Sequence, residues 1–474
     1  MRSKHLIIAA PLVLGVMLGG CALTPRDLPV VAPPPHFDDI PPNWAEAVPA
    51  DTIPRGPWWY AFNDAVLNDL EMRADAASPT LAAALARRDE ARAVLGETRA
   101  DLVPEVDAVG SAERQRVAKD RPQSQGYAVT GNNYVLGAQL NYEVDLWGRV
   151  RNEVRAARSE ERATEADLAS VKLSLQASVA DAYVRLRGLD AEQDLLVRSV
   201  DAFTKAYNLT RTRHIGGVGT ALDENRALTV LGNARALSVD VTDQRNRTEH
   251  ELAALVGALS SGFKVAPVGQ VTQAPAVPVS TPSTLLQRRP DIAAAERRVA
   301  ESNARIGAAH AALFPTITLG LAGGFNTTGP ALLSQQNTTW ALGPLGFNLP
   351  IFDGGRRLSA VRLARAQFDE NAANYRNTVI TAFREVEDSL TDARDLAREV
   401  TEQQIAVKAA QATTKLSLIR YREGASNYLE VVTAQTDELN SERSLLAVQT
   451  RVSQASVSIV RALGGPVNER PAGS

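Results

Sequence analysis

The chain has 474 residues, with 51 basic against 54 acidic side chains and a single cysteine. A net charge of −3 with no basic tract excludes nucleic acid as a partner, and one cysteine excludes an intramolecular disulfide. After residue 20 no apolar run is long enough for a transmembrane helix, so any membrane crossing by the mature chain must use β-strands.

Residues 1–20 place Arg2 and Lys4 ahead of a short apolar run, Leu6 to Gly19, interrupted at Pro11. The run is too short for a bilayer and reads as an export signal. It ends at Leu18-Gly19-Gly20-Cys21, small residues before a cysteine, which resembles a bacterial lipobox. Cys21 is then acylated and begins the mature chain. The bland alternative for Cys21 is a buried thiol without chemistry. Ala22 stands where an aspartate would retain such a lipoprotein in the inner membrane, so the outer membrane is expected. Losing Arg2 and Lys4 moves the charge from −3 to −5. Residues 21–60 form a tether, with ten prolines between Ala22 and Pro57, and this composition favours extended chain.

Beyond the tether the sequence repeats itself. Pro79-Thr80-Leu81-Ala82-Ala83-Ala84 matches Pro290-Asp291-Ile292-Ala293-Ala294-Ala295, 211 residues on, and Leu102-Val103-Pro104 matches Leu313-Phe314-Pro315 at the same offset. Gly148-Arg149 matches Gly355-Arg356, and Arg213, Gly217, Leu222 and Asp223 match Arg420, Gly424, Leu429 and Glu430, all at 207. The halves span 61–259 and 283–465, with a proline-punctuated linker at 260–282 and a tail at 466–474. Each half orders its parts alike: a helix opened by Pro79 or Pro290, two strands, a very long helix, a glycine break and a medium helix. Arg356 to Glu423 is 68 residues without glycine or proline, and Arg149 to Ile215 has only Gly188. Each long helix is expected to run about 100 Å, enough to pair with two shorter helices stacked end to end. Phe368, Ala372, Tyr375, Val379, Ala382, Val386, Leu390, Ala393, Ala397 and Val400 advance by threes and fours, a coiled-coil seam.

Between the helices the period changes to two. Tyr134, Leu136, Ala138, Leu140, Tyr142, Val144 and Leu146 alternate with mostly polar or small residues, as do Ile317, Leu319, Leu321, Gly323 and Phe325. The pattern fits membrane strands with one greasy face, flanked by aromatics such as Trp147, Phe314 and Trp340. It also fits a soluble sandwich with one buried face. A further strand near Thr339 to Ile351 carries Pro344, which predicts a bulge or kink there. Four spanning strands fall short of the roughly eight a closed bacterial barrel needs, so membrane strands would require several chains.

Three segments carry a family resemblance: Arg289-Pro290-Asp291-Ile292-Ala293-Ala294-Ala295-Glu296 through Phe314-Pro315, Pro350-Ile351-Phe352-Asp353-Gly354-Gly355-Arg356, and Tyr142-Glu143-Val144-Asp145-Leu146-Trp147-Gly148-Arg149. Over nearly its whole length the chain resembles the TolC-like outer-membrane factor family, in its NodT-type lipoprotein branch. The resemblance implies a mixed α/β membrane protein, a homotrimer whose three sets of four strands close one 12-stranded barrel, continued by a coiled-coil periplasmic tunnel. It implies a periplasmic adaptor and an inner-membrane transporter, commonly of the resistance–nodulation–division class, as partners. Drugs, organic compounds or metal ions would be the cargo. The adaptor-contacting turns fall on Gly216-Gly217-Val218 and Glu423-Gly424-Ala425, although Gly216 and Glu423 replace the valine common in the family. The periplasmic gate falls on Asp223, Tyr421 and Glu430, while Asn427 and Thr433 replace the family's arginine and second acid. Plain turn geometry explains Gly217 and Gly424 equally well. The four histidines beyond residue 20, His36, His214, His250 and His310, lack metal-ligand spacing, and no nucleophile motif or phosphate loop occurs. An enzyme is not expected, nor any cofactor beyond the lipid on Cys21. Two other functions stay open: the outlet of a type I protein-secretion system, and a non-conducting envelope spacer.

Overall fold

The computed structural model describes residues 56–120, 126–273 and 288–465. Cys21, the export signal, most of the tether, the linker from 274 on and the tail at 466–474 lie outside the described residues. In chain order the elements are α1 (Ala65–Ala77), α2 (Pro79–Ala100), β1 (Glu105–Val117), β2 (Val129–Glu143), α3 (Arg149–Ile215) and α4 (Ala221–Leu255). Then follow α5 (Pro290–Ala311), β3 (Thr316–Thr327), β4 (Thr338–Asn348), α6 (Arg356–Arg422) and α7 (Tyr428–Ala462). Corresponding helices have equal lengths: 22 residues in α2 and α5, 67 in α3 and α6, 35 in α4 and α7.

The chain divides into two compact units. One, residues 88–164 and 295–375, holds a single antiparallel sheet in the order β1-β2-β3-β4. Glu105 pairs with Asn141, and Thr316 pairs with Asn348. The strand partners are thus offset by 316 − 105 = 211 and 348 − 141 = 207, the offsets of the sequence repeat. Directly paired residues point to the same side. One face therefore carries Val106, Ala108, Leu136, Leu140, Leu319, Leu321, Trp340 and Phe347, and the other carries Asp107, Ser111, Gln139, Asn141, Thr318 and Asn348. The register of β3 with β4 shifts between Leu319 and Leu321, opposite Leu345 and Leu342. That shift brackets Pro344, where the sequence predicts a bulge or kink. Its extra residue reverses the alternation along β4, so Trp340 and Leu342 share a face with Leu345 and Phe347. β2 starts and ends earlier than the Tyr134–Leu146 alternation predicts. Asp145 is taken by the next helix, accepting from the backbone N–H groups of Val150 (3.3 Å) and Arg151 (2.9 Å).

The other unit holds Glu165–Ala294, Arg376 onward, and described residues before Arg88. Its main core packs Leu67, Leu70 and Ala74 of α1 against Tyr183 and Leu186 of α3 and Leu252 of α4. Burying each of these leucines contributes about 2 kcal/mol. Helix α1 was not singled out from the sequence. Asp64 opens it by accepting from Val66 N (2.9 Å) and Leu67 N (3.2 Å). Residues 263–268 are held by a charged cluster: Glu249 accepts from Val265 N (2.8 Å) and Lys264 (2.8 Å), while Asp190 accepts from Val268 N (3.1 Å) and Arg245 (2.6 Å). Along α6 the expected seam holds at Val379, Ala382, Val386 and Leu390. It then moves to Leu396, leaving Ala397 exposed, as a helix of 3.6 residues per turn drifts from a strict heptad.

Candidate functional site

Two features can carry function: the sheet and the turns that end the long helices. The sheet's apolar face is exposed, with Trp340 at 82 % and Leu342, Leu345 and Phe347 comparably open. An exposed one-sided apolar sheet needs a non-aqueous neighbour. Where the sheet meets the helices, Trp147 stacks on Phe314 at 4.9 Å and donates its indole N–H to Pro315 O at 2.7 Å. Those two expected boundary aromatics are thus pinned to each other.

The turns are built twice from the same parts. After α3, Gly217 adopts φ +73°, its N–H bonds to His214 O (3.0 Å), and Val218 N–H bonds to Arg213 O (3.0 Å). After α6, Gly424 adopts φ +76°, its N–H bonds to Tyr421 O (3.1 Å), and Ala425 N–H bonds to Arg420 O (2.8 Å). Both are left-handed helix stops that favour glycine. The following helices start alike. Thr220 caps α4 by accepting from Asp223 N (3.1 Å), and Asn427 caps α7 by accepting from Glu430 N (3.3 Å). Asp223 and Glu430 therefore sit at the third helical position, where the backbone dipole favours an acid. Asn427, at the position of the family's arginine, is the helix cap.

Gly216, Gly217, Val218, Glu423, Gly424 and Ala425 are all exposed. Ile215 and Val218 also project apolar side chains into water. The three gate candidates differ in placement. The Glu430 side chain is 45 % exposed with Arg420 at 3.7 Å, and Asp223 is 17 % exposed with Arg226 at 3.9 Å. Tyr421 is buried at 4 %, its ring edge-on to Tyr428 at 5.2 Å, in a cluster with Ala206, Ala227 and Val431. Burial pushes the Tyr421 phenol above its ordinary pKa against the lowering effect of Arg213, and pushes Tyr428 up to about 12. Asp223 lies close enough to both rings to reinforce those shifts.

Three contributors were given no role at the turns by the sequence. Arg213 stands over the Tyr421 ring at 4.6 Å and donates to Tyr421 O at 2.9 Å, tying one turn to the other. Tyr428 completes the aromatic pair. His214 Nδ1 lies 2.6 Å from Glu224 Oε2, bracing the first turn. The available signal was the repeat itself: at offset 207 His214 corresponds to Tyr421 and Arg213 to Arg420, so each repeat position holds a partner-forming side chain.

Comparison with known proteins covers the whole arrangement. Residues 72–258 and 281–465 match the family described as outer membrane efflux protein. The antibiotic efflux pump outer membrane protein ArpC of Pseudomonas putida is 32 % identical over 469 residues, covering 98 % of this chain and 96 % of its own. The pyoverdine export outer membrane protein OpmQ of Pseudomonas aeruginosa is 32 % identical over 476 residues, covering 98 % and 97 %. Among solved structures, the outer-membrane channel OprN superposes with a TM-score of 0.83 at 28 % identity, covering 93 % of this chain and 99 % of that one.

Proposed function

The chain belongs to the outer membrane efflux protein family, a family of ducts and not of enzymes, and from that premise we propose that three copies close one 12-stranded barrel continued by a periplasmic tunnel. The observation that carries this is the four-stranded sheet with an exposed apolar face on one side, a mostly polar or small face on the other, and strands β1 and β4 at its edges. Four strands per chain cannot enclose a pore alone. The two halves of the chain then arise by tandem duplication, supported by the twofold match to the family, and give the tunnel near-sixfold repetition from three subunits.

The protein works in the outer membrane and extends into the periplasm. In this reading a periplasmic adaptor engages the glycine turns around Gly217 and Gly424, gripping exposed Ile215 and Val218, and an inner-membrane transporter, probing the same axis, supplies the energy. Arg213, Tyr421 and Tyr428 hold the two turns of one chain together, while Asp223 and Glu430 set the charge at the mouth. The relatives argue that cargo is chosen elsewhere: ArpC is named for antibiotics and OpmQ for pyoverdine at equal identity to this chain. Drugs and other organic compounds are the cargo class, selected by the transporter. Cys21 carries the lipid that anchors the tether.

Planar-bilayer recording with native mass spectrometry in mild detergent tests the reading. A trimer that conducts ions is expected. A stable monomer, or a trimer with no conductance, refutes it. Mass spectrometry of the N-terminal peptide should find an acylated Cys21, and a free thiol there would remove the anchor.

A further inference from the structure

We propose that Arg114 and Arg116, on the outward face of β1, bind the phosphates of the glycolipid in the outer leaflet of the outer membrane. This rests on the closed-barrel reading above and adds a lipid ligand to it.

The strands sort their charges by sign. Their charged residues are Glu105, Asp107, Glu113, Arg114 and Arg116 in β1 and Glu143 in β2, with none in β3 or β4. Neighbours along a strand point to opposite faces, and directly paired residues share one. Glu105, Asp107 and Glu113 pair with Asn141, Gln139 and Asn133, and Glu143 pairs with Thr318, all on the mostly polar or small face. Arg114 and Arg116 pair with Asn132 and Thr130 and fall on the other face, that of Val106, Ala108 and Leu136. In a closed barrel every strand acid then points inward and both strand bases point outward.

The two arginines also stand at a defined height. α2 leads into β1 at Glu105, and β2 leads out to α3 after Glu143, so Arg114 and Arg116 lie towards the strand ends away from those helices. With the helices in the periplasm, that end faces the outside of the cell. The outward face is apolar or small at alternate residues from Val106 to Ala112 on β1 and from Leu140 to Tyr134 on β2. It turns polar at the next pair, Arg114 with Asn132, directly beyond Tyr134. The ten steps from Val144 back to Tyr134 cover about 33 Å of strand. Tilted by about 40°, they rise about 25 Å, the height of a lipid-facing apolar band bounded by aromatics. Arg114 is two residues past Ala112, about 7 Å of strand beyond that band. An arginine there escapes the cost it would carry at the bilayer midplane and reaches the headgroups.

Both guanidinium groups are open to a ligand. Arg114 and Arg116 are exposed, and among the described residues neither is paired with a carboxylate. Arg114 Nη1 lies 3.5 Å from Asn132 Oδ1 on the same face. Each guanidinium presents paired N–H donors that match phosphate oxygens, which a lysine point charge does not. No acid on the outward face of the sheet competes for them.

The full-length lipidated trimer in detergent is titrated with diphosphoryl lipid A and followed by native mass spectrometry. The wild type should bind it, and should bind the dephosphorylated glycolipid far more weakly. Arg114→Gln with Arg116→Gln should remain a conducting trimer and bind about thirtyfold more weakly, the effect of two surface charges on an anionic lipid. Should that variant fail to assemble, Arg116→Gln alone should still weaken binding about fivefold. Adding Gln115→Arg to the double variant returns a cation at the same height on the inward face and should not restore binding. Unchanged binding in the arginine variants overturns the site, and restoration by Gln115→Arg overturns its outward placement. Equal binding of the phosphorylated and dephosphorylated forms overturns phosphate recognition and leaves acyl chains as the only attachment. Equal binding of phosphatidylglycerol overturns the choice of glycolipid. A wild-type chain that is monomeric or does not conduct overturns the barrel reading instead.

Discussion

Arg213 and Tyr421, 208 positions apart, are joined twice: the guanidinium lies 4.6 Å over the ring and donates to the same residue's carbonyl oxygen at 2.9 Å. The first contact fixes the ring and the second fixes the helix end that carries it. Together they couple the stop of α3 to the stop of α6, with Tyr428 edge-on to the same ring at 5.2 Å.

If that tie holds the mouth closed, breaking it should open the duct. A cation over an aromatic ring plus a charge-assisted hydrogen bond contributes about 1–2 kcal/mol in a partly exposed setting. That corresponds to roughly a tenfold shift in an open–closed ratio. Arg213→Leu should raise resting conductance in planar bilayers by that order, with Arg213→Lys intermediate. Unchanged conductance in Arg213→Leu would show that the tie is structural only.

Glu71 of α1 is fully buried and neither carboxylate oxygen has a hydrogen-bond partner among the described residues. Lys172, the nearby cation, is engaged by Asp75 at 2.8 Å. Burial, with Asp75 adding to it, raises the Glu71 pKa from 4.5 to about 9. The unfolded chain loses this proton near pH 4.5 and the folded chain only near 9, so stability declines as pH rises through that window. The loss is of the order of 3 kcal/mol at pH 7. Glu71→Gln keeps the shape without the ionisation. It should raise the melting temperature at pH 7–8 and flatten the pH dependence, whereas a lower melting temperature at pH 8 would mean that the carboxylate is ionised and paired.

Glu249 has the opposite sign. Burial works against its charge, but Lys264, the Val265 N–H and Arg245 outweigh it and hold the carboxyl below its ordinary 4.5. Its contribution is complete above pH 4.5 and is lost as pH falls below that value. Glu249→Ala removes one member of a buried cluster and should cost about 3–5 kcal/mol at neutral pH. Proteolysis within residues 263–268 should accelerate in the variant, since Glu249 holds that segment. Wild-type protection would place the restraint on Asp190, Arg187 and Arg245, which also bond residues 265–268.

Gly217 and Gly424 have open space where a Cβ would sit but take positive φ. Alanine at either therefore costs backbone strain of about 1 kcal/mol and meets no side chain. Asparagine, which tolerates this conformation, should restore stability. Adaptor binding separates the roles: a turn that matters only for geometry regains affinity with asparagine, and a surface gripped by the adaptor does not.

The repeat, the long helices, the strands and the bulge at Pro344 were legible because each imposes a period or a break on the sequence. Helix α1 was missed because its start signal is one residue, Asp64, behind an aromatic run. The turns were legible through their glycines, but the burial of Tyr421 beside Tyr428 was not. Burial of a tyrosine depends on what α4 and α7 bring against it, and Ala206, Ala227 and Val431 come from three different helices. Spacing along one helix cannot reveal such a contact. Arg213 was visible as a repeat marker, but its partner is set by tertiary packing.

Asp223 and Glu430 test the gate most directly. They occupy corresponding positions six residues past Gly217 and Gly424, so three subunits would bring six carboxylates to the mouth. Each also serves its own helix at the third position, where losing the charge costs only about 0.3–1 kcal/mol. Asp223→Asn with Glu430→Gln preserves shape and removes charge, so the trimer should persist. A ring of like charges concentrates counter-ions, and the wild-type duct should favour cations over anions. The double variant should lose most of that preference, read as a shift in reversal potential under a salt gradient. The two positions are also unequal: Asp223 is mostly covered near the tyrosine pair, whereas Glu430 stands half in solvent beside Arg420. Glu430→Gln alone should therefore produce the larger part of the shift. A double variant that keeps wild-type selectivity would leave both acids with stabilisation of their own helix starts as their only role.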